Sequence, residues 1–179
     1  MVQEFPLRGL IQESKWFAIV TRSRAEKKVA ERISQHWHTF LPMHTQWRQW
    51  SDRKKKVEMP LIPSFIFVNT TERELATIVK DDGVVRVLRY LGKPAVVRDE
   101  EIEILRLLIE NTDKIQTISP LDLSKGEIVE VLQGPFAGLK ASFINHRGKH
   151  KIIVNIEATG TFFQLEVAVN NIQKINLNT

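Results

Sequence analysis

The chain has 179 residues, 42% of them hydrophobic and 26% charged, with a net charge of +5 and no cysteine. This is globular composition at a length that suits one large domain or two small ones, and the missing thiols exclude disulfides, thiolate zinc sites and thiol catalysis. No continuous apolar run reaches signal-peptide or membrane-spanning length, so the expectation is a cytoplasmic protein without a membrane partner.

Residues 1–14 mix charge with apolar side chains and read as a loosely ordered arm. "KWFAIVT" is a β-rich run. "SRAEKKVAERISQHW" reads as a helix, because Ala25, Val29, Ile33 and Trp37 recur every four residues on one face. Ser23 is the expected N-cap, with Glu26 completing a capping box. "TFLPMHTQWRQW" returns to strand character, and the polar "SDRKKK" reads as a hairpin tip before the buried strand "SFIFVN". "TERELATIVKDDG" reads as a short helix stopping at Gly83, and "VVRVLRYLG" as one strand. In "DEEIEILRLLIENT", Asp99 is the expected N-cap and Glu100 and Glu101 favour the positive end of a helix. Ile102, Leu105 and Ile109 form its buried stripe. The order β-α-β-β-α-β-α predicts an α+β domain over residues 15–111, an antiparallel sheet flanked by helices.

After Asn111 the periodicity fades, and residues 112–124 read as a polar linker. From 125 to 179 the chain is short strands with turn signals about every 8–12 residues, the pattern of a small β-barrel.

Charge is unevenly spread: residues 15–56 carry a net +8, residues 57–112 a net −3. A basic stretch of this density suits phosphates, and a solvated basic face explains it equally well. Within it Arg53, Lys54, Lys55 and Lys56 are consecutive and lie close to Trp47 and Trp50. Cations beside flat rings suit a single strand of nucleic acid, although packing across the hairpin is the commoner use of such tryptophans. The five histidines, His36 and His38 among them, have no acidic or thiol partner nearby in sequence. No nucleophile–base pair, phosphate loop or carboxylate pair stands out. The expectation is a non-enzymatic, monomeric binding protein with no metal and no cofactor.

"KGEIVEVLQGPFAGLKASFIN" (125–145) resembles a KOW motif: Gly126 before an alternating strand, then Gly134, Pro135, Phe136 and Gly138 in a turn before a second strand. Gly126 and Gly138 permit positive φ, Pro135 pre-sets the turn, and Phe136 is placed to cap a small barrel. Ala141 stands where the family usually has another glycine. Together with "WFAIVTRSRAEKKVAERI", "VEMPLIPSFIFV" and "DDGVVRVLRYLGKPAVVRDEEIEIL", the chain over roughly residues 15–177 resembles the NusG transcription factors. "QWSDRKKKVEMPLIPSFIFV" and "GKPAVVRDEEIEIL" look closer to specialised paralogues, UpxY-type antiterminators and RfaH.

That resemblance implies an SH3-like KOW barrel behind an N-terminal domain that binds the clamp helices of RNA polymerase and promotes processive elongation or antitermination at specific operons. It assigns the polymerase surface to Val20, Ile62, Pro63, Phe65 and Phe67, with Val87 and Tyr90. Ile62 and Pro63 precede the strand and are expected to be exposed. The resemblance places Arg22 and Arg24 toward the displaced non-template DNA strand. For the barrel it implies ribosomal protein S10 or Rho as partner, but Glu157 stands where the family commonly has an apolar residue, which speaks against either. The alternative is a KOW-type RNA-binding protein acting at the ribosome. Residues 113–179 carry a net charge of only +1, little for that role.

Overall fold

The computed structural model describes residues 13–49, 53–111, 115–118, 126–146 and 149–175. The N-terminal arm up to residue 12 and most of the expected linker lie outside these residues.

Strand β1 (Lys15–Thr21) is almost wholly apolar and occupies the middle of a five-stranded antiparallel sheet with both faces covered. On one edge it pairs with β5 (Phe65–Thr70), which pairs in turn with β2 (His38–Phe40). On the other edge lie β6 (Val84–Val87) and, one step along, β9 (Val96–Val97). Alternation then assigns each side chain to a face. Phe17, Ile19, Ile66, Val68 and Val87 pack with Val29 and Ile33 of α1 (Glu26–Ile33) and with Leu75 and Ile78 of α2 (Leu75–Ile78). Trp16, Ala18 and Phe67 face the opposite way, in a cluster with Phe40, Leu61 and Ile62 and with Ile102, Leu105 and Leu108 of α3 (Asp99–Glu110).

Both expected caps differ in detail. Helix α1 begins at Glu26 with no side-chain cap, so Ser23 does not serve as one, and Trp37 lies beyond its end. The N-cap of α3 is Arg98 rather than Asp99; its N–H donates to Glu101 Oε2 at 3.0 Å. The expected single strand "VVRVLRYLG" also breaks. It forms β6, then leaves the sheet edge as a small hairpin of β7 (Arg89–Tyr90) and β8 (Lys93–Pro94). A second ribbon, β3 (Met43–Gln49) with β4 (Lys54–Pro60), stands apart from the main sheet and is tied to α1 by a Lys27–Glu58 ion pair.

The C-terminal unit is a six-stranded antiparallel sheet in the order β10 (Ile115–Ile118), β14 (Thr161–Glu166), β13 (Lys149–Ile156), β12 (Lys140–His146), β11 (Glu127–Val131), β15 (Ile172–Lys174). β10 lies inside the span expected to be linker; its backbone pairs with β14. The KOW turn forms between β11 and β12. Gly134 and Gly138 take φ of 90° and 84°, while Phe136 is buried between them. Gly126 answers to a different constraint than the positive φ expected of it: a Cβ there would lie 2.0 Å from the Phe143 carbonyl oxygen.

The two units touch through α3. An Arg98 Nη2 lies 3.1 Å from Glu157, and Glu101 Oε1 accepts the Ala158 N–H at 3.4 Å. The apolar cluster beneath α3 is continuous with the barrel core, which includes Val129, Phe136, Ile152, Ile156, Phe163 and Leu165.

Candidate functional site

At the C-terminal end of β1, Val20 stands opposite Phe65 on one side and Arg86 on the other. These three side chains share the α3 face of the sheet. Val20 and Phe65 are half-buried and Arg86 is exposed, so an apolar row with a cationic end reaches solvent there. The turn before Phe65 is tightly held. Ser64 adopts φ 64°, a left-handed conformation that is strained for a residue with a Cβ. Its N–H donates to Glu26 Oε1 at 2.8 Å, and its carbonyl accepts the Thr21 N–H at 2.9 Å. Glu26 is only 5% exposed, so its carboxylate serves this turn from within and does not cap α1. Pro63 is left exposed at the front. Beside it Thr21 Oγ1 is buried without a hydrogen-bond partner among the described residues.

Three residues assigned to the apolar surface by resemblance are interior instead. Ile62 is 3% exposed: the Leu61 N–H donates to the Pro42 carbonyl at 2.7 Å, which turns this segment inward at the base of the ribbon. Phe67 pairs with Ala18 beneath α3 and is fully buried. Val87 pairs with Ile19 and belongs to the core under α1 and α2. Val20, Pro63, Phe65 and Tyr90 retain accessible surface.

The basic segment is partly neutralised by acids distant in sequence. Arg22 Nη1 lies 3.3 Å from Asp82, Arg32 Nε donates to Asp81 at 3.0 Å, and Lys27 is taken by Glu58. The Asp81 hydrogen bond is the main reason that the Arg32 pKa is raised above its ordinary value. Arg24 is exposed at a left-handed φ of 65° in the turn before α1. Arg53 through Lys56 are exposed on the ribbon, with Lys54, Lys55 and Lys56 in register with Gln49, Arg48 and Trp47. Alternation places Lys54 and Lys56 on one face of the ribbon and Lys55 on the other. The Trp47 ring and the whole of Trp50 lie outside the described residues.

The hairpin that leaves the sheet edge carries Tyr90 and Leu91 at its tip, 73% and 85% exposed. Between this hairpin and the β13–β14 turn runs an open groove lined by Leu88, Pro94 and Val96 on one side and Asn155 and Ala158 on the other. Two residues central to this geometry are ones that sequence reasoning misread or passed over, Glu26 and Leu91. Glu26 was concealed by its fit to a local capping pattern. The signal for Leu91 was the "LGKP" sequence, a two-residue turn followed by a proline that no interior strand position accommodates.

Among the described residues, no helix is long and apolar enough to cross a membrane, and no group of three or more His, Asp or Glu is placed to hold a metal ion.

A family model described as "Transcription termination factor nusG" matches residues 14–106. The transcription termination/antitermination protein NusG of Helicobacter pylori strain J99 is 25% identical over 177 residues, covering 89% of this chain and 98% of that protein. The NusG of Streptococcus pyogenes serotype M3 strain MGAS315 is 24% identical over 170 residues, covering 85% of this chain and 92% of its own. A solved structure described as "Domain interaction in Thermotoga maritima NusG" matches the fold with a TM-score of 0.54 at 20% identity, over 92% of this chain and 98% of that one.

Proposed function

The chain belongs to the NusG family of transcription factors, and we propose that it rides on RNA polymerase during elongation, gripping the clamp helices with the apolar row at the end of β1. Pro63, Phe65 and Val20 supply the contact, Arg86 its charged margin. Phe65 is already half-buried in the free chain, so covering its remaining surface contributes about 1 kcal/mol, and the contact needs Pro63, Val20 and Arg86 acting with it. No bond is made or broken. Binding the two arms of the polymerase clamp in one arrangement favours that arrangement over its alternatives, and processive elongation follows from the shifted population.

Arg24 and the Lys54–Lys56 ribbon lie on the side proposed to face the displaced non-template strand, where phosphate contacts position the factor without reading sequence. In this reading the factor is a specialised paralogue acting at particular operons in the cytoplasm. The barrel turn at Glu157 is engaged with Arg98 of its own N-terminal unit, so ribosomal protein S10 or Rho would first have to displace that contact. The observation that carries the reading is the solvent-facing Val20–Phe65 row beside a turn fixed by the buried Glu26 carboxylate.

Direct binding to core RNA polymerase tests it. Phe65→Asp and Pro63→Asp, the latter at an exposed position, are expected to abolish or severely weaken binding while the far-ultraviolet circular dichroism is unchanged. Wild-type affinity in both variants, or binding to ribosomes in place of polymerase, refutes the assignment.

A further inference from the structure

Strand β14 carries Phe163 and Leu165 into the interior, both fully buried, and pairs along one side with β13, from Glu166 opposite Lys151 to Thr161 opposite Ile156. Were the barrel limited to β11–β15, the other side of β14 would be an open edge, a row of unpaired N–H and C=O groups beside the core. β10 occupies it. Ile115, Gln116, Thr117 and Ile118 stand opposite Leu165, Gln164, Phe163 and Phe162 in antiparallel register. The cover is drawn from the span between the two units and leaves from a fixed point. Asn111 closes the end of α3, donating its N–H to the Leu108 carbonyl at 3.2 Å and its Nδ2 to the Leu107 carbonyl at 2.9 Å. Leu108 itself is fully buried in the core that α3 shares with the barrel.

This placement gives the connection two lengths. With β10 paired, residues 111–114 alone separate α3 from the barrel sheet, a reach of about 14 Å at full extension. With β10 released, the connection runs through residues 111–126, a reach of about 55 Å. Besides the apolar contact beneath α3, the ties between the units are the exposed Arg98–Glu157 ion pair, which solvent screens, and the Ala158 N–H on Glu101. β10 is four residues long and paired on one side only, so few ladder bonds oppose its opening. We propose that Ile115–Ile118 is a strap. Docked, it completes the barrel and holds it against α3. Peeled away, it frees the β14 edge and lengthens the tether, so that the barrel turns away from the N-terminal unit. The strap stays tethered at both ends, so redocking is intramolecular and closure recurs without a partner. None of this depends on the polymerase reading above.

The test uses the full-length chain, with nitrogen-15 relaxation to report whether the two units tumble together and amide hydrogen exchange to report the β14 ladder. Gln116→Pro combined with Thr117→Pro is the opening variant. Neighbouring strand residues direct their N–H groups to opposite edges, so one of the two prolines removes a donor toward β14. In wild type the units are expected to tumble as one body. In the variant they are expected to tumble separately, with β14 amides exchanging about tenfold faster or more and those of β12 and β13 unchanged. Arg98→Ala is expected to keep the joint tumbling of wild type. Separate tumbling in wild type, or joint tumbling in the proline variant, overturns the proposal. So does loss of protection throughout β12 and β13, which would make β10 an integral strand unable to peel. Separation of the units by Arg98→Ala with β14 still protected assigns the hold to the ion pair and overturns it as well.

Discussion

Replacing Glu26 by alanine separates two accounts of one residue. In a capping box, Glu26 would serve the start of its own helix, and Ser23→Ala would destabilise by about 1 kcal/mol through loss of the N-cap. In the structure the Glu26 carboxylate accepts the Ser64 N–H at 2.8 Å across 38 positions of sequence. A hydrogen bond to a charged group contributes about 1.5–3 kcal/mol, and truncation leaves the Ser64 donor without a partner in a part-buried turn. Ser64 also loses support for a conformation that itself costs about 1 kcal/mol or more. Glu26→Ala is therefore expected to destabilise the N-terminal unit by about 2–3 kcal/mol. Glu26→Gln, which keeps an acceptor oxygen but loses the charge, should cost about 1 kcal/mol, and Ser23→Ala less than about 0.5 kcal/mol. Urea unfolding followed by tryptophan fluorescence reads all three, with the buried Trp16 as reporter. If Ser23→Ala matches Glu26→Ala, or if Glu26→Ala stays within about 0.5 kcal/mol of wild type, the carboxylate does not hold the turn.

Gly83 takes φ 98°, and a Cβ there would lie 2.8 Å from Val29 Cγ2, so Gly83→Ala should destabilise by about 2 kcal/mol or more in the same urea assay. The Glu74 carboxyl is held down from 4.5 to about 2, chiefly by the Thr71 N–H, then by the Thr71 and Thr70 hydroxyls and the Trp37 indole. Its folded pKa is depressed, so its contribution to stability is full above 4.5 and is lost as pH falls from 4.5 toward 2. Glu74→Gln should flatten acid unfolding in that window, modestly because solvent screens an exposed group. Replacing Lys54, Lys55 and Lys56 with serine should lower the salt slope of single-strand DNA binding by up to about 2. Arg24→Ala should weaken the same binding more than Arg22→Ala, because Arg22 already faces Asp82; equal effects would show that the ion pair does not withhold it.

How much of this was legible in the sequence depended on the range of the determining contact. The strand at β1 follows from its β-rich composition, a local signal, whereas the Val20–Phe65 surface and the KOW turn at Gly134, Phe136 and Gly138 came from the family resemblance. Ile62 is buried because Leu61 is pinned to Pro42 some twenty positions away in the chain, and no local pattern encodes that. The run "VVRVLRYLG" keeps β propensity through Leu88, so the departure from the sheet edge is set by the turn at Leu91–Gly92 and not by composition. The net +8 of residues 15–56 overstates the free charge because Asp81, Asp82 and Glu58, all beyond that segment, pair with three of its cations. Local periodicity identifies elements and faces; partners brought by the topology decide which side chains remain available.

Those long-range partners converge on one knot. Thr21 holds the Ser64 carbonyl, Glu26 holds the Ser64 amide, and the Arg22 N–H donates to Gly83 at 2.8 Å. Of the three non-glycine residues with left-handed φ among the described residues, two, Arg24 and Ser64, lie at this knot. The proposed apolar contact at Pro63–Phe65 and the basic turn at Arg24 thus stand on the same backbone support, so in the proposed reading one set of hydrogen bonds holds a protein-facing and a phosphate-facing surface side by side. A change in a contacting side chain should then weaken one interaction alone. A change in the support, of which Glu26 is the buried centre, should weaken polymerase and single-strand binding together and by similar factors, since both rest on the same few hydrogen bonds.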